Sequence, residues 1–234
     1  MDAPLWKVET HCHTRLSRDS LNDPRRLVET AARKGLQAIC ITDHNGLANA
    51  LALTRVSDLP IPVVPSEEIK TSEGEIIGWF LQELIPKGLS PEETARRIRA
   101  QGGIVAVPHP FDLARNASRL QTPALERLVA AGLIDVIEVF NARTTLPAHN
   151  AQARTFAERH GLAMSAGSDA HTLWEVGRAY VEVTPFASAA EFLAGLRAGR
   201  VGGVPSPVLI HASSRWATLA KSLRLARRHR PGEV

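Results

Sequence analysis

Two cysteines, Cys12 and Cys40, are too few among 234 residues for a disulfide framework, and they place the chain in a reducing cytoplasm. No stretch approaches the roughly 18 uninterrupted apolar residues that a membrane span needs. The N-terminal MDAPLWKVETHCHT turns polar within a few residues, so no secretory leader is expected. No glycine loop of the Walker or dinucleotide type is present; the Gly202-Gly203 pair lacks the strand–helix setting such loops require. Internal repeats and low-complexity linkers are also missing. What is there is ordinary globular material. Apolar residues at 44% and charged residues at 22% supply both a core and a surface, which excludes a disordered chain or a collagen. The length suits one compact α/β domain.

The net charge of +4 is local. Beyond position 214, Arg215, Lys221, Arg224, Arg227, Arg228 and Arg230 face only Glu233, and the rest of the chain is close to neutral. This basic tail reads either as a solvated helix or as a contact for nucleic acid or an anionic membrane surface. Trp216, Leu219 and Leu223 stand at helical spacing, which would pack part of it onto the body.

Short hydrophobic runs recur, each followed by a helical pattern. Strands are expected at 5–8, 36–42, 61–65, 68–71, 75–81, 104–107, 134–140, 162–166 and 180–183. Helices are expected at 24–34, 47–57, from Ser90, and at 123–131, 148–160 and 187–198. Two helix starts are written out chemically. Asp23 precedes Pro24, and Ser90-Pro91-Glu92-Glu93 forms a capping box. Strands alternating with helices predict a parallel sheet with helical crossovers, closed as a barrel. In such barrels function sits at the C-terminal ends of the strands.

The polar residues expected at those ends are His11-Cys12-His13, Asp43-His44, Glu67-Glu68, Pro108-His109, Asn141 and Gly167-Ser168-Asp169-Ala170-His171. Side chains alternate faces in extended backbone, so His11 and His13 point together while Cys12 points away as a small packed side chain. Asp169 and His171 repeat that spacing. Two such pairs from distant strands can converge on one ion, and imidazoles with carboxylates suit Zn, Mn or Fe without a thiolate.

Six segments then resemble the polymerase and histidinol phosphatase (PHP) family of metal-dependent phosphoesterases. They are HCHTRLSRDS at 11–20, ITDHNGL at 41–47, EEIKTSEGEIIG at 67–78, VPHP at 107–110, EVFNAR at 138–143 and GSDAH at 167–171. The resemblance covers residues 5–183 and implies a distorted TIM-like (β/α)7 barrel, in a domain spanning 1–212 followed by the basic segment 213–234. It implies two to three divalent ions. His11, His13, Glu68 and Asp169 would hold a first, with Glu68 bridging to a second held by His109 and Asn141. Asp19, His44 and His171 would hold a third. Asn141 stands where many members carry histidine. Glu68, Asp169 and His109 are the residues expected to be catalytic.

The expected reaction is hydrolysis of a phosphate ester, a phosphorylated small molecule or a short nucleic acid, by metal-activated hydroxide attacking in line. Arg143, Lys70, Arg15 and Arg18 follow ligand motifs and are the candidate phosphate-binding cations. Asp43 is read either as holding a ligand histidine in its working tautomer or as a helix cap. Two other readings are an amidohydrolase-type hydrolase and a non-catalytic barrel that binds nucleic acid through its tail.

Overall fold

A computed structural model describes residues 4–228, with side chains as far as 223. Arg224, Arg227, Arg228, Arg230 and Glu233 of the basic tail therefore lie outside the described side chains. Nine strands form one sheet in the order β7-β6-β5-β4-β3-β2-β1-β8-β9. Parallel pairs join β1 (Trp6–Cys12), β2 (Ala38–His44) and β3 (Val63–Thr71), and likewise β5 (Ile104–Val107), β6 (Val136–Asn141) and β7 (Ala163–Gly167). The sheet curls until its two flanks nearly meet. His13 N–H donates to Ala170 O at 2.9 Å and Ala170 N–H to His11 O at 3.3 Å, just beyond β1 and β7.

The expectation of parallel strands with helical crossovers holds for the crossover units, and the strand expected at 75–81 pairs with 68–71 through the Ser72-Glu73-Gly74 turn as its spacing predicts; the departures are the last two strands. β4 (Gly74–Trp79) returns antiparallel on β3 through the Ser72-Glu73 turn, and β8 (Ala179–Val183) runs antiparallel to both β1 and β9 (Arg200–Gly203). The two residues between β3 and β4 can close a hairpin but cannot carry a crossover helix, whereas β8 and β9 are antiparallel although the helix Ala189–Ala198 lies between them. The expected strands at 61–65 and 68–71 are one continuous strand, and β9 adds a strand the hydrophobic pattern did not suggest, since Arg200-Val201-Gly202-Gly203 has little apolar content.

The helices α1 (Pro24–Arg33), α2 (Ala48–Thr54), α3 (Pro91–Ala100), α4 (Thr122–Ala130), α5 (Pro147–His160) and α6 (Ala189–Ala198) follow the sequence punctuation. The Asp23 side chain accepts from Arg26 N and the Ser90 side chain from Glu93 N, caps worth about 1 kcal/mol each. The sheet has two apolar faces. Ile39, Ile41, Ile69, Val105 and Ile137 pack outward against helices, while Ala38, Cys40, Val64, Ala106 and Val136 fill the interior. Both thiols are free and buried.

The C-terminal helix α7 (His211–Arg228) crosses the mouth of the barrel. Its packing differs from the expectation. Trp216, Leu219 and Leu223 are more than half exposed, and Ala217 is the buried residue. Small and polar side chains let the helix lie close, whereas the bulky ones turn outward. Among the described residues no helix is long and apolar enough to cross a membrane.

Candidate metal centre

Alternation along each strand builds the site. The interior positions of β2 run Ala38, Cys40, Thr42, His44, and those of β3 run Val64, Ser66, Glu68, Lys70, apolar at the base and polar at the mouth. On β6 the same face passes from Val136 to Glu138. Because β4 runs the other way, its first residues lie at the mouth. Glu75, opposite Lys70 in the register, joins Glu68 there.

Four donors converge. His11 Nε2 lies 3.4 Å from Glu68 Oε2 and 3.7 Å from Asp169 Oδ1. His13 Nε2 lies 3.5 Å from the same glutamate oxygen and 3.2 Å from the same aspartate oxygen. A tetrahedral ion with bonds of about 2.0–2.1 Å sets its donors about 3.4 Å apart, so the spacing fits a metal of the zinc type. The His11 Nε2, His13 Nε2 and both Glu68 carboxylate oxygens are buried without a hydrogen-bond partner. Buried polar atoms are ordinarily paired, and a cation would satisfy all four.

Two further groups adjoin this one. His109 Nε2 stands 3.3 Å from Glu68 Oε1. His44 Nδ1 stands 3.0 Å from Glu68 Oε2 and 4.0 Å from Glu75 Oε1. Asp19 Oδ2 lies 3.0 Å from His171 Nε2 and 3.6 Å from His44 Nε2. The donor atoms of His13, His44 and His171 lie within 4.8 Å of one another, as do those of His44, Glu68 and Glu75. Eight of the nine residues read from the sequence as ligands thus present a donor atom to one mouth. The ninth, Asn141, is placed beside them with its amide turned round. Its Nδ2 donates to Glu138 Oε2 at 2.9 Å, while its Oδ1 accepts from Arg143 N at 2.9 Å.

Electrostatics follow from packing imidazoles among acids. Burial lowers the His11 pKa, but Glu68, Asp169 and Glu138 outweigh it and hold it well above the ordinary 6.5. His13 goes the other way, to about 3, through burial and the neighbouring His171 and His44. For Asp19, burial is outweighed by hydrogen bonds from His171 and His44, which keep it ionised. Burial pushes the Cys12 thiol well up, so it sits as a neutral packed group.

A supporting layer escaped the sequence reading. Glu138 Oε1 lies 3.0 Å from His11 Nδ1 and Glu138 Oε2 accepts from His109 N at 2.8 Å. Asp43 touches no ligand ring directly. It accepts from Thr14 N, Thr14 Oγ1, Ser17 N and Ser17 Oγ, and so folds the loop that carries Asp19. Ser17 Oγ in turn lies 3.2 Å from His13 Nδ1. His109 and Asp169 both hold positive φ, of 30° and 52°, a backbone state that non-glycine residues rarely adopt and that clusters at functional sites.

The candidate cations separate. Arg143 is buried, with Nε 2.7 Å from Glu175 Oε1 and Nη1 3.0 Å from His171 Nδ1. Arg18 and Lys70 line a lobe of the mouth beside Asn45 and Thr218. Arg15 is directed away, paired with Asp23 at 2.9 Å. Arg115, which no motif singled out, reaches the centre itself, its Nη2 2.5 Å from Asp169 Oδ2.

The family model of the PHP domain matches residues 9–72, and that of a PHP-associated region matches 147–201. An uncharacterised protein of Methanocaldococcus jannaschii is 40% identical over 176 residues, covering 75% of this chain and 70% of that one. A protein of Caldicellulosiruptor bescii named "Probable phosphatase" is 25% identical over 203 residues, covering 74% and 82%. Among solved structures, a two-domain Bacteroides vulgatus protein containing a predicted PHP-like metal-dependent phosphoesterase superposes with a TM-score of 0.71 at 21% identity, over 86% of this chain and 65% of that one. Endonuclease Q of Pyrococcus furiosus, a lesion-specific enzyme, superposes with a TM-score of 0.57 at 14% identity, over 84% of this chain and 57% of that one.

Proposed function

We propose a function from one premise: the chain belongs to the PHP family of metal-dependent phosphoesterases. It hydrolyses phosphate esters at the barrel mouth. The observation that carries this reading is the set His11, His13, Glu68 and Asp169, whose imidazole nitrogens lie 3.2–3.7 Å from the two carboxylates, with the histidine and Glu68 atoms unsatisfied by the protein. Divalent ions such as Zn, Mn or Fe bound there would activate a water for attack and neutralise charge on the phosphoryl oxygens.

The chain's own residues do the rest. Glu68 turns one oxygen to His11, His13 and His44 and the other to His109, so it is placed to join two ion positions. Glu75 adds a carboxylate beside His44 and Glu68, while the Asn141 oxygen accepts from Arg143 N. Asp19, His44 and His171 define the outer position, open to the mouth. Arg115, held by Asp169 and Asp112, places a guanidinium where a phosphoryl oxygen would arrive. Arg18 and Lys70 can meet the remainder of an anionic substrate from the neighbouring lobe. The same reading takes residues 1–212 as the barrel unit and 213–234 as an appended helix and tail. The two free buried thiols support a reducing, cytoplasmic setting.

The test is hydrolysis of 4-nitrophenyl phosphate and of its bis ester with added Mn²⁺. The doubly substituted His11→Ala, His13→Ala variant, shown folded by circular dichroism, should lose at least a hundredfold in kcat/KM. Unchanged turnover in that variant would overturn the reading.

A further inference from the structure

The mouth has a roof that the barrel itself does not supply. Helix α7 is tied down at two places. Arg143 Nη2 donates to Ile210 O at 3.2 Å and to Ser214 Oγ at 2.8 Å. About two turns beyond Ser214, Lys221 Nζ donates to Arg15 O and Ser17 O. The first tie comes from the loop after β6, the second from the loop that carries Asp19. Both loops are fixed by the site, so the residues between the ties are fixed relative to it.

Between those ties, His211, Ala212 and Arg215 line a cavity of about 810 Å³ that also contains Asp19, His44 and His171. A second lobe of about 440 Å³ is lined by Arg18, Lys70 and Thr218 and shares Asp19, His44 and Glu75 with the first. A ligand can therefore run past the outer ion position with cations on both sides. The volume of the first lobe alone lies in the upper part of the range of about 300–1,000 Å³ typical of small-molecule sites.

The cations differ in how they are engaged. Arg115 is paired with Asp169 and Asp112, and Arg143 with Glu175. Among the described residues no carboxylate pairs with Arg215, which is exposed at the rim. The His211 ring is partly buried near two of these cations. Burial, then Arg143 and Arg115, hold its pKa below the ordinary value. Arg215 thus leaves an unneutralised positive charge on the α7 rim beside a centre built of acids, and the neutral His211 ring next to it has an N–H to donate.

We propose that Arg215 and His211 form an anion subsite for a phosphate other than the one cleaved, so that the substrate is a short single-stranded nucleic acid rather than a lone monophosphate. This rests on the phosphoesterase reading above and names the substrate class for that site. Phosphates spaced along a strand would meet Arg215 in one lobe and Arg18 with Lys70 in the other, with the scissile phosphate between them at the ion positions of the mouth, beside Arg115.

The experiment uses the full chain loaded with Mn²⁺ and a fluorescein-labelled phosphorothioate thymidine pentanucleotide, which keeps its charges and resists cleavage. Kd is measured by anisotropy across salt. Arg215→Ala should weaken binding about tenfold at low salt and reduce the slope of log Kd against log salt by about 0.7, the value for one phosphate contact on a single strand. Arg215→Lys, which keeps the charge, should retain both. A wild-type slope in Arg215→Ala would overturn the subsite. Hydrolysis is followed in parallel on unmodified pentanucleotide and on 4-nitrophenyl phosphate. If the wild-type chain cleaves neither, the phosphoesterase reading fails while the slope still decides the subsite. If it cleaves 4-nitrophenyl phosphate and the slope is unmoved, the reading stands and the subsite falls.

Discussion

Glu138 grips His11 from behind, with Oε1 3.0 Å from Nδ1, while its other oxygen holds the His109 backbone amide and the Asn141 side chain. One carboxylate therefore fixes the ring of one metal-facing histidine and the backbone of another. Such supporting contacts set tautomer and orientation, and losing them costs about 10–100-fold in metal affinity. Glu138→Gln should bind Zn²⁺ or Mn²⁺ within that range more weakly than the parent, with little change in far-ultraviolet circular dichroism. Calorimetric titration giving parental affinity would remove Glu138 from this role.

Gly167 lies where a Cβ would run into the His11 side chain and the Glu138 carboxylate. Both neighbours are part of the centre and neither can retreat, since each is buried. Gly167→Ala should therefore destabilise the protein by about 1–3 kcal/mol, the usual cost of overpacking, and weaken metal uptake as well. Urea unfolding together with bound-metal analysis tests the pair of effects. Loss of stability with full metal content would show that the strand shifts without disturbing the histidine.

Asp43 gathers four donors from Thr14 and Ser17 in a buried setting. Truncation leaves them facing no acceptor, which costs about 1–3 kcal/mol per unsatisfied buried group before relaxation. Asp43→Ala is expected to lower Tm by several degrees and to impair the outer ion position through Asp19 more than the inner one. Metal titration should then show the weakest step lost first. A variant that loses the tight step first would contradict the assignment of this loop to Asp19.

The unsatisfied donors of His11, His13 and Glu68 make the metal-free fold less stable than the loaded one. An ion that binds only the folded state adds about 2.7 kcal/mol at a concentration one hundred times its Kd. Thermal melts with added Mn²⁺ or Zn²⁺ should rise by several degrees, and chelator should reverse the gain. The His11→Ala, His13→Ala variant should show no rise. A metal-dependent gain of parental size in that variant would place the ion elsewhere.

Much of the centre was legible in the sequence because its ligands come in i,i+2 pairs or at the ends of hydrophobic runs, where alternation alone says which way they point. His11 with His13 is such a pair, whereas Asp169 and His171 keep the spacing but lie beyond the end of β7, with Asp169 at positive φ. Glu75 was missed although the Ser72-Glu73-Gly74 turn pairs β4 with β3, because its place at the mouth follows from the register that sets it opposite Lys70. Glu138 lies inside a hydrophobic run and shows its role only once the barrel brings it against His11. Arg115 arrives from an irregular loop by long-range folding. In α7 the helical spacing of Trp216, Leu219 and Leu223 was visible, yet the face that packs is the one with Ser214, Ala217 and Lys221, since docking there relies on close approach and hydrogen bonds rather than on apolar bulk.

The junction where β1 meets β7 has a mechanical meaning. Only a couple of main-chain hydrogen bonds stitch the barrel there, through His11, His13 and Ala170, while the pairs on either side run along whole strands. His11 and His13 stand on one lip of that gap and Asp169 and His171 on the other. An ion held by His11, His13 and Asp169 would act as a clasp. Amide exchange around residues 11–13 and 168–171 should slow more on metal addition than anywhere else in the sheet, so the chemistry of the mouth and the closure of the cylinder are one and the same event.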